Sequence, residues 1–137
     1  MDILLVERDK LVRDQVKVGL QQFPEFTVTC GEGFAGLNEL RQRDFDAIFL
    51  GISAEGKNRL KLLEHLRSFD FNTELVVMAE DRSIKDLGKV KSRFNVTSFL
   101  STPLSAIEFF RLVARIRERF QDTGVAAGPI SGRRSTR

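Results

Sequence analysis

The residues able to do chemistry are few and poorly assembled. Glu7 and Asp9 follow the apolar run Ile3-Leu4-Leu5-Val6. Two carboxylates so close could contribute to a Mg²⁺ site, which takes oxygen ligands and usually one or two carboxylates plus phosphate. Arg8 between them makes that site a poor one. Ser53 and Ser101 offer hydroxyls, but a serine nucleophile needs a histidine base. The single histidine, His65, falls mid-helix in Leu63-Glu64-His65-Leu66, so no hydrolase is expected. Asp44, Asp46 and Asp70 read as solvated surface carboxylates. Gly31, Gly33 and Gly36 have the spacing G-x-G-x-x-G between a strand and a helix, which fits the dinucleotide fingerprint superficially. The motif follows the second strand rather than the first, and Glu32 would repel phosphate, so these read as turn glycines. Cys30 ends a strand, where a small buried thiol is expected.

The elements that would position these groups alternate in type. Ile3 to Val6 is a short apolar strand that turns polar at Glu7-Arg8-Asp9. From Leu11, the residues Val12, Val16, Gly19, Leu20 and Phe23 form one helical stripe, capped by Asp9 and stopped by Pro24. Phe26 to Cys30 alternates and is β-branched, a less buried second strand. A short second helix is expected over Phe34 to Arg43. The segment Asp46-Ala47-Ile48-Phe49-Leu50-Gly51 then reads as a strand buried on both faces, central in a parallel sheet. Chemistry in an open α/β sheet lies just beyond the carboxyl end of such a strand. The residue there is Gly51, which has no side chain to react with. Entering at the strand's other end, Asp46 lies roughly 15 Å away at ~3.3 Å per residue, on the wrong edge of the sheet.

A third helix is expected from Lys57 to Phe69 and a buried strand over Leu75 to Met78. The fourth helix, capped by Asp81 or Ser83, runs to Phe94 with an inner stripe of Ile84, Leu87 and Val90 or Phe94. Thr97 to Leu100 is a short fifth strand, and after Pro103 the last helix runs from Leu104 or Ser105 to about Phe120. Such alternation is the pattern of a parallel sheet with helices on both faces, wound by right-handed crossovers.

A chain of 137 residues is most simply one domain. Its hydrophobic fraction of 42% and charged fraction of 30% are those of a soluble globular protein. No apolar run reaches the ~20 residues of a membrane span. The N-terminus lacks a signal-peptide pattern and there is one cysteine, which together favour the cytoplasm. The net charge of +3 belongs to the end of the chain. Residues 123–137 hold Arg133, Arg134 and Arg137 and no acid; taking those three from the 22 basic residues leaves 19, against 19 acidic. The globular part, residues 1–122, is therefore neutral, and residues 123–137 read as a flexible basic tail or linker. A neutral domain without Trp or Tyr argues against nucleic-acid binding through the domain itself.

Over residues 2 to 120 the chain resembles the receiver domain of bacterial response regulators. Ile3-Leu4-Leu5-Val6 resembles the family's first strand and Phe45-Asp46-Ala47-Ile48-Phe49-Leu50 its third. Gly56 stands at the family's loop glycine, and Leu60-Lys61-Leu62-Leu63 opens the next helix. Phe99-Leu100-Ser101-Thr102-Pro103-Leu104 resembles the segment with an aromatic, a leucine, a lysine and a proline. The resemblance implies a flavodoxin-like (βα)5 three-layer sandwich with a parallel five-stranded sheet in the order 2-1-3-4-5.

The same resemblance implies a pocket whose chemistry has been lost. The family's acidic pair aligns with Glu7 and Arg8, its phosphoacceptor with Gly51, its hydroxyl residue with Ala79 (or Met78, one register step away), and its lysine with Thr102. Without a carboxylate at 51 no acyl phosphate can form there. No metal, cofactor or enzymatic activity is expected. In the family the fourth helix, fifth strand and fifth helix form the face used for dimers and partners. Lys85, Lys89, Arg93, Phe99, Arg111 and Arg115 fall on it here. The last helix adds a wide apolar arc, roughly 220° at 100° per residue, with charges to give register. Phe99 aligns with the family's switch aromatic and is expected to be a fixed packing residue. The function this implies is a pseudo-receiver, a protein-interaction module in bacterial signalling that works without phosphorylation, with a protein partner or a second copy on that face. Two alternatives remain. One is the input domain of a longer regulator with a DNA-binding or cyclic-di-GMP-binding output domain, since Arg133-x-x-x-Arg137 resembles the opening motif of PilZ domains. The other is a receiver fold with a small ligand in the cleft beside Glu7, Arg8 and Thr102.

Overall fold

A computed structural model of the chain describes residues 1–52, 60–80 and 87–127. Strands β1 (Asp2–Val6), β2 (Thr27–Gly31), β3 (Ala47–Gly51), β4 (Glu74–Glu80) and β5 (Ser98–Thr102) form one parallel sheet in the order β2-β1-β3-β4-β5. Between them lie α1 (Lys10–Gln21), α2 (Gly33–Leu37), α3 (Lys61–Phe69) and α4 (Leu87–Phe94), and α5 (Ala106–Ala127) closes the fold. This is the expected doubly covered sheet in the expected strand order.

Alternate strand residues point to opposite faces, and both faces are buried. Ile3, Leu5, Ala47, Phe49, Val76 and Met78 pack against Val16 and Leu20 of α1 and Phe109, Leu112, Val113 and Ile116 of α5. Leu4, Val6, Ile48, Leu50, Leu75 and Val77 pack under α2, α3 and α4, against Leu37, Leu63, Leu66 and Phe94. That double burial is why the central strands read as unbroken apolar runs. Each fully buried Leu or Ile contributes about 1.5–3 kcal/mol. Asp9 caps α1 as expected, its carboxylate accepting from the amides of Leu11 (3.0 Å) and Val12 (3.2 Å).

Several local expectations are corrected. The second helix is α-helical only to Leu37 and tightens to a 3-10 turn over Asn38–Arg41. Helix α5 continues to Ala127, past the end expected near Phe120. The cap residues Asp81 and Ser83 lie outside the described residues. Cys30 is exposed rather than buried, because β2 is an edge strand.

Asp46 and Asp70 are buried, not solvated. The Asp46 carboxylate accepts the Asp2 amide at 2.7 Å, joining the starts of β3 and β1. Asp70 closes the turn into β4, accepting from the amides of Asn72 and Thr73 and from the Thr73 hydroxyl (2.6 Å). Beside it lies Arg67, a buried cation that nothing in the local pattern reveals. Its guanidinium donates to the carbonyls of Phe94 (2.7 Å), Asp70 (2.8 Å), Thr73 (2.9 Å) and Asn95 (3.0 Å). It stands 3.9 Å from the Asp70 carboxylate. One side chain thus ties the end of α3, the entry to β4 and the end of α4 together at the amino edge of the sheet. Arg67→Met removes every donor and leaves the carbonyls and Asp70 buried. Denaturation in urea is expected to register a loss of about 3–5 kcal/mol. A loss below about 1 kcal/mol would mean that water satisfies these groups in its place.

Candidate functional site at the carboxyl edge of the sheet

The strands deliver Glu7, Gly51, Glu80 and Thr102 to the same edge of the sheet. Gly51 ends β3 and pairs with Met78 of β4, which in turn pairs with Leu100 of β5. Paired residues in a parallel register share a face, so Met78, Glu80 and Thr102 lie on the Gly51 face, the side covered by α1 and α5.

Glu7 fills the space beside Gly51. It is only 8% exposed. A Cβ added at position 51 would fall inside its carboxylate, overlapping Oε1 and Cδ and standing 2.6 Å from Oε2. Oε2 in turn accepts the Asp9 amide at 3.1 Å. Burial pushes the Glu7 carboxyl above its ordinary range, and the Asp9 carboxylate adds to this; the amides of Asp9 and Arg8 and the charge of Arg13 act the other way. Glutamate is one methylene longer than aspartate, which lets the carboxylate reach over the bare glycine. Gly51 therefore has a steric role besides its lack of a nucleophile: any other residue would displace Glu7.

The remaining pocket positions fall as follows. Ala79 pairs with Ser101 and faces α3 and α4, away from Gly51, so it is not a pocket residue. The position beside Gly51 is Met78, whose thioether is buried in the core and supplies no hydroxyl either. Arg8 is exposed at the rim. Thr102 is half-buried and joined to Pro103 by a cis peptide bond. It lines an open cavity of about 490 Å³ with Asp9, Leu11, Val12, Gln15 and Glu80. That cavity lies between α1 and the end of β5, and neither Glu7 nor Arg8 lines it. The cleft expected beside Glu7, Arg8 and Thr102 is thus closed on its inner side by Glu7.

Other sequence candidates resolve structurally. A Cβ on Gly31 would stand 2.7 Å from the Gly36 Cα, so this pair permits the close approach of α2 to β2. Gly33 turns the chain with φ of 56°. Glu32 is ion-paired with Arg13 at 3.0 Å. The His65 ring packs edge-on to Phe34 and Phe69 and bonds Asn38 Oδ1 at 3.0 Å, with no serine hydroxyl on it among the described residues. Ser53 and Lys85 lie outside the described residues. Among the described residues no three His, Cys, Asp or Glu converge on a metal position, and no helix is long and apolar enough to cross a membrane.

On the face formed by α4, β5 and α5, Lys89, Arg93, Arg111 and Arg115 are exposed. Arg93 is held by Glu64 of α3 at 2.9 Å. Phe99 pairs with Val77 and lies half-buried against the core under α3 and α4. No large apolar side chain described on α4 or β5 is exposed. Those that are exposed on α5, Ile107 and Phe110, belong with Leu11 and Val18 of α1.

No protein-family model matches the chain, and no curated protein matches it in sequence. Solved structures do. The regulatory domain of the repressor of iron transport regulator, RitR, in its inactive form, superposes with a TM-score of 0.67 at 22% identity, covering 88% of this chain and 95% of that one. The receiver domain of NtrX from Brucella abortus gives 0.71 at 21% identity, over 85% of this chain and 98% of that one. A longer NtrX structure from the same organism gives 0.73 at 19% identity, over 92% of this chain but 28% of that one. The fold is that of the response-regulator receiver domain.

Two results are expected from the Glu7–Gly51 contact. Gly51→Ala should push the Glu7 carboxylate off the Asp9 amide and cost about 0.5–1.5 kcal/mol in a wild-type background, the net worth of that hydrogen bond, and much less when Glu7 is also alanine. Equal costs in the two backgrounds would show that the carboxylate is not where the close contact lies. The raised Glu7 carboxyl also gives a pH signature. A folded-state value above the ordinary 4.5 means that the folded protein holds this proton more tightly, so stability falls as pH rises from 4.5 through the raised value. Glu7→Gln should remove that fall and gain stability over wild type as pH increases. Parallel stability curves for the two proteins would contradict it.

Proposed function

We propose that this domain is a pseudo-receiver, a signalling module that acts through protein contacts and has no phosphotransfer step. The observation that carries this reading is the Glu7 carboxylate lying where a side chain at position 51 would begin. An acyl phosphate needs a carboxylate nucleophile at the end of β3 with room for three phosphoryl oxygens. Gly51 supplies none, and Glu7 takes the room. Thr102 and Met78 offer neither a cation for the phosphoryl charge nor a hydroxyl to follow it. The domain is read as non-enzymatic and as holding a single constitutive state. Exposed Lys89, Arg111 and Arg115 give it a charged face that suits an acidic protein partner.

A second reading is compatible with the first: the domain is the input module of a longer bacterial regulator, with an output domain that binds DNA or cyclic di-GMP. It is favoured by the longer NtrX structure, where the matched part is 28% of the chain. The soluble, cytoplasmic setting of such a regulator is part of the same proposal.

Acetyl phosphate or phosphoramidate with Mg²⁺ is expected to leave the intact mass unchanged. Gly51→Asp alone is also expected to remain unmodified, because the second metal-binding acid, the lysine and the hydroxyl are missing. One phosphoryl adduct on a carboxylate of the wild-type chain would overturn the proposal.

A further inference from the structure

Four large apolar side chains stand out of the α1–α5 side of the molecule: Leu11 is 68% exposed, Val18 57%, Ile107 70% and Phe110 41%. They are not stray residues of the core stripes. Helix α1 buries Val16, Gly19 and Leu20, while Leu11, Asp14, Gln15 and Val18 form a separate stripe at i, i+3, i+4, i+7. Helix α5 buries Phe109, Leu112, Val113 and Ile116, while Ile107, Phe110 and Ala114 form its second stripe. The two stripes flank one groove, where Asp14, Val18, Gly19, Gln22 and Phe110 share a hollow with Gln15. The helices meet closely because of Gly19, whose added Cβ would stand 2.5 Å from the Phe109 ring. Phe110 is fixed at the groove by Phe23, 6.1 Å between ring centroids, and by Phe109, at 5.1 Å.

We propose that this groove is where a second copy of the chain docks, giving a two-fold dimer whose axis runs along the groove. The charges select that occupant. Asp14 marks the α1 flank and Arg111 the α5 flank; both are exposed, and neither has an ion-pair partner among the described residues. A uniformly acidic or basic partner would meet a like charge on one flank. A second copy meets the opposite charge on both, as an isologous interface requires.

The heights agree as well. Three residues separate the end of β1 at Val6 from the start of α1 at Lys10, and three separate the end of β5 at Thr102 from the start of α5 at Ala106. Both helices then run the same way down the same face. Counted from Lys10 and Ala106, Leu11 and Ile107 are each second in their helices, and Val18 and Ala114 are each ninth. Asp14 is fifth, beside Arg111 at sixth. A two-fold axis along the groove sets α1 of one copy over α5 of the other at equal height. Leu11 then meets Ile107, Val18 meets Ala114, and Asp14 meets Arg111, each contact made twice. This dimer rests on reading the domain as a contact module, and its test is hydrodynamic, so its failure is distinct from a phosphoryl adduct seen by mass.

Sedimentation of the full 137-residue chain from low to hundreds of micromolar should show a monomer–dimer equilibrium. Val18→Asp with Ile107→Asp should leave a monomer that still unfolds cooperatively. Arg111→Asp alone should weaken the dimer at least about tenfold, and adding Asp14→Arg should restore most of the loss. A wild-type chain monomeric throughout would overturn the proposal. So would a dimer indifferent to these changes, or one broken by Lys89→Glu instead.

Discussion

The site depends on one contact, between the Glu7 carboxylate and the bare Cα of Gly51. A carboxylate that is mostly removed from water is costly unless it is hydrogen-bonded. Here the Asp9 amide bonds one oxygen, the same residue whose side chain starts α1. The turn after β1 therefore does two things at once: it caps a helix and turns a glutamate inward over β3. Gly51 is what makes the second possible, because a Cβ there would occupy the carboxylate's position. The pair behaves as one feature split across two strands.

Losing an acceptor and filling the acceptor's place are different events with different consequences. A receiver fold that had only lost its aspartate would retain an open pocket, ready for phosphate once the aspartate was restored. A fold in which glutamate has closed the pocket has an edge that is packed without phosphate, with the Glu7 carboxyl held above its ordinary range by burial. An open cavity lies further out, between α1 and the end of β5. The surface carries a polar, basic strip from Lys89 to Arg115 and an apolar groove between α1 and α5.

The architecture was legible in the sequence because burial on both sheet faces leaves nowhere to hide a polar residue in β1, β3 or β4. The 3.6-residue stripe of α1 and its Asp9 cap were equally readable. What escaped was set by distant segments. Arg67, Asp46 and Asp70 look like surface charges locally; their partners are backbone groups of Phe94, Asn95, Asp2 and the turn into β4. The exposure of Cys30 follows from β2 lying at the sheet edge, which residue alternation within the strand does not reveal. Ala79 was one step out of place, and in a strand one step moves a side chain to the other face. That position 51 carries no nucleophile is plain from residue type alone. That Glu7 closes the same space is not, because only the β1–β3 pairing brings the two together.

On the proposed reading, the Glu7 carboxylate stays seated beside Gly51 and does not give way to a metal or a phosphoryl group. Carbon-detected NMR titration of that carboxyl, alone and with Mg²⁺ and beryllofluoride, reads this directly. The expected titration midpoint lies above the ordinary 4.5 and is unmoved by either addition, with the Gly51 amide unshifted. A midpoint that falls when Mg²⁺ is added, or a Gly51 amide that shifts with beryllofluoride, would mean that the pocket still opens to the ligands of a working receiver.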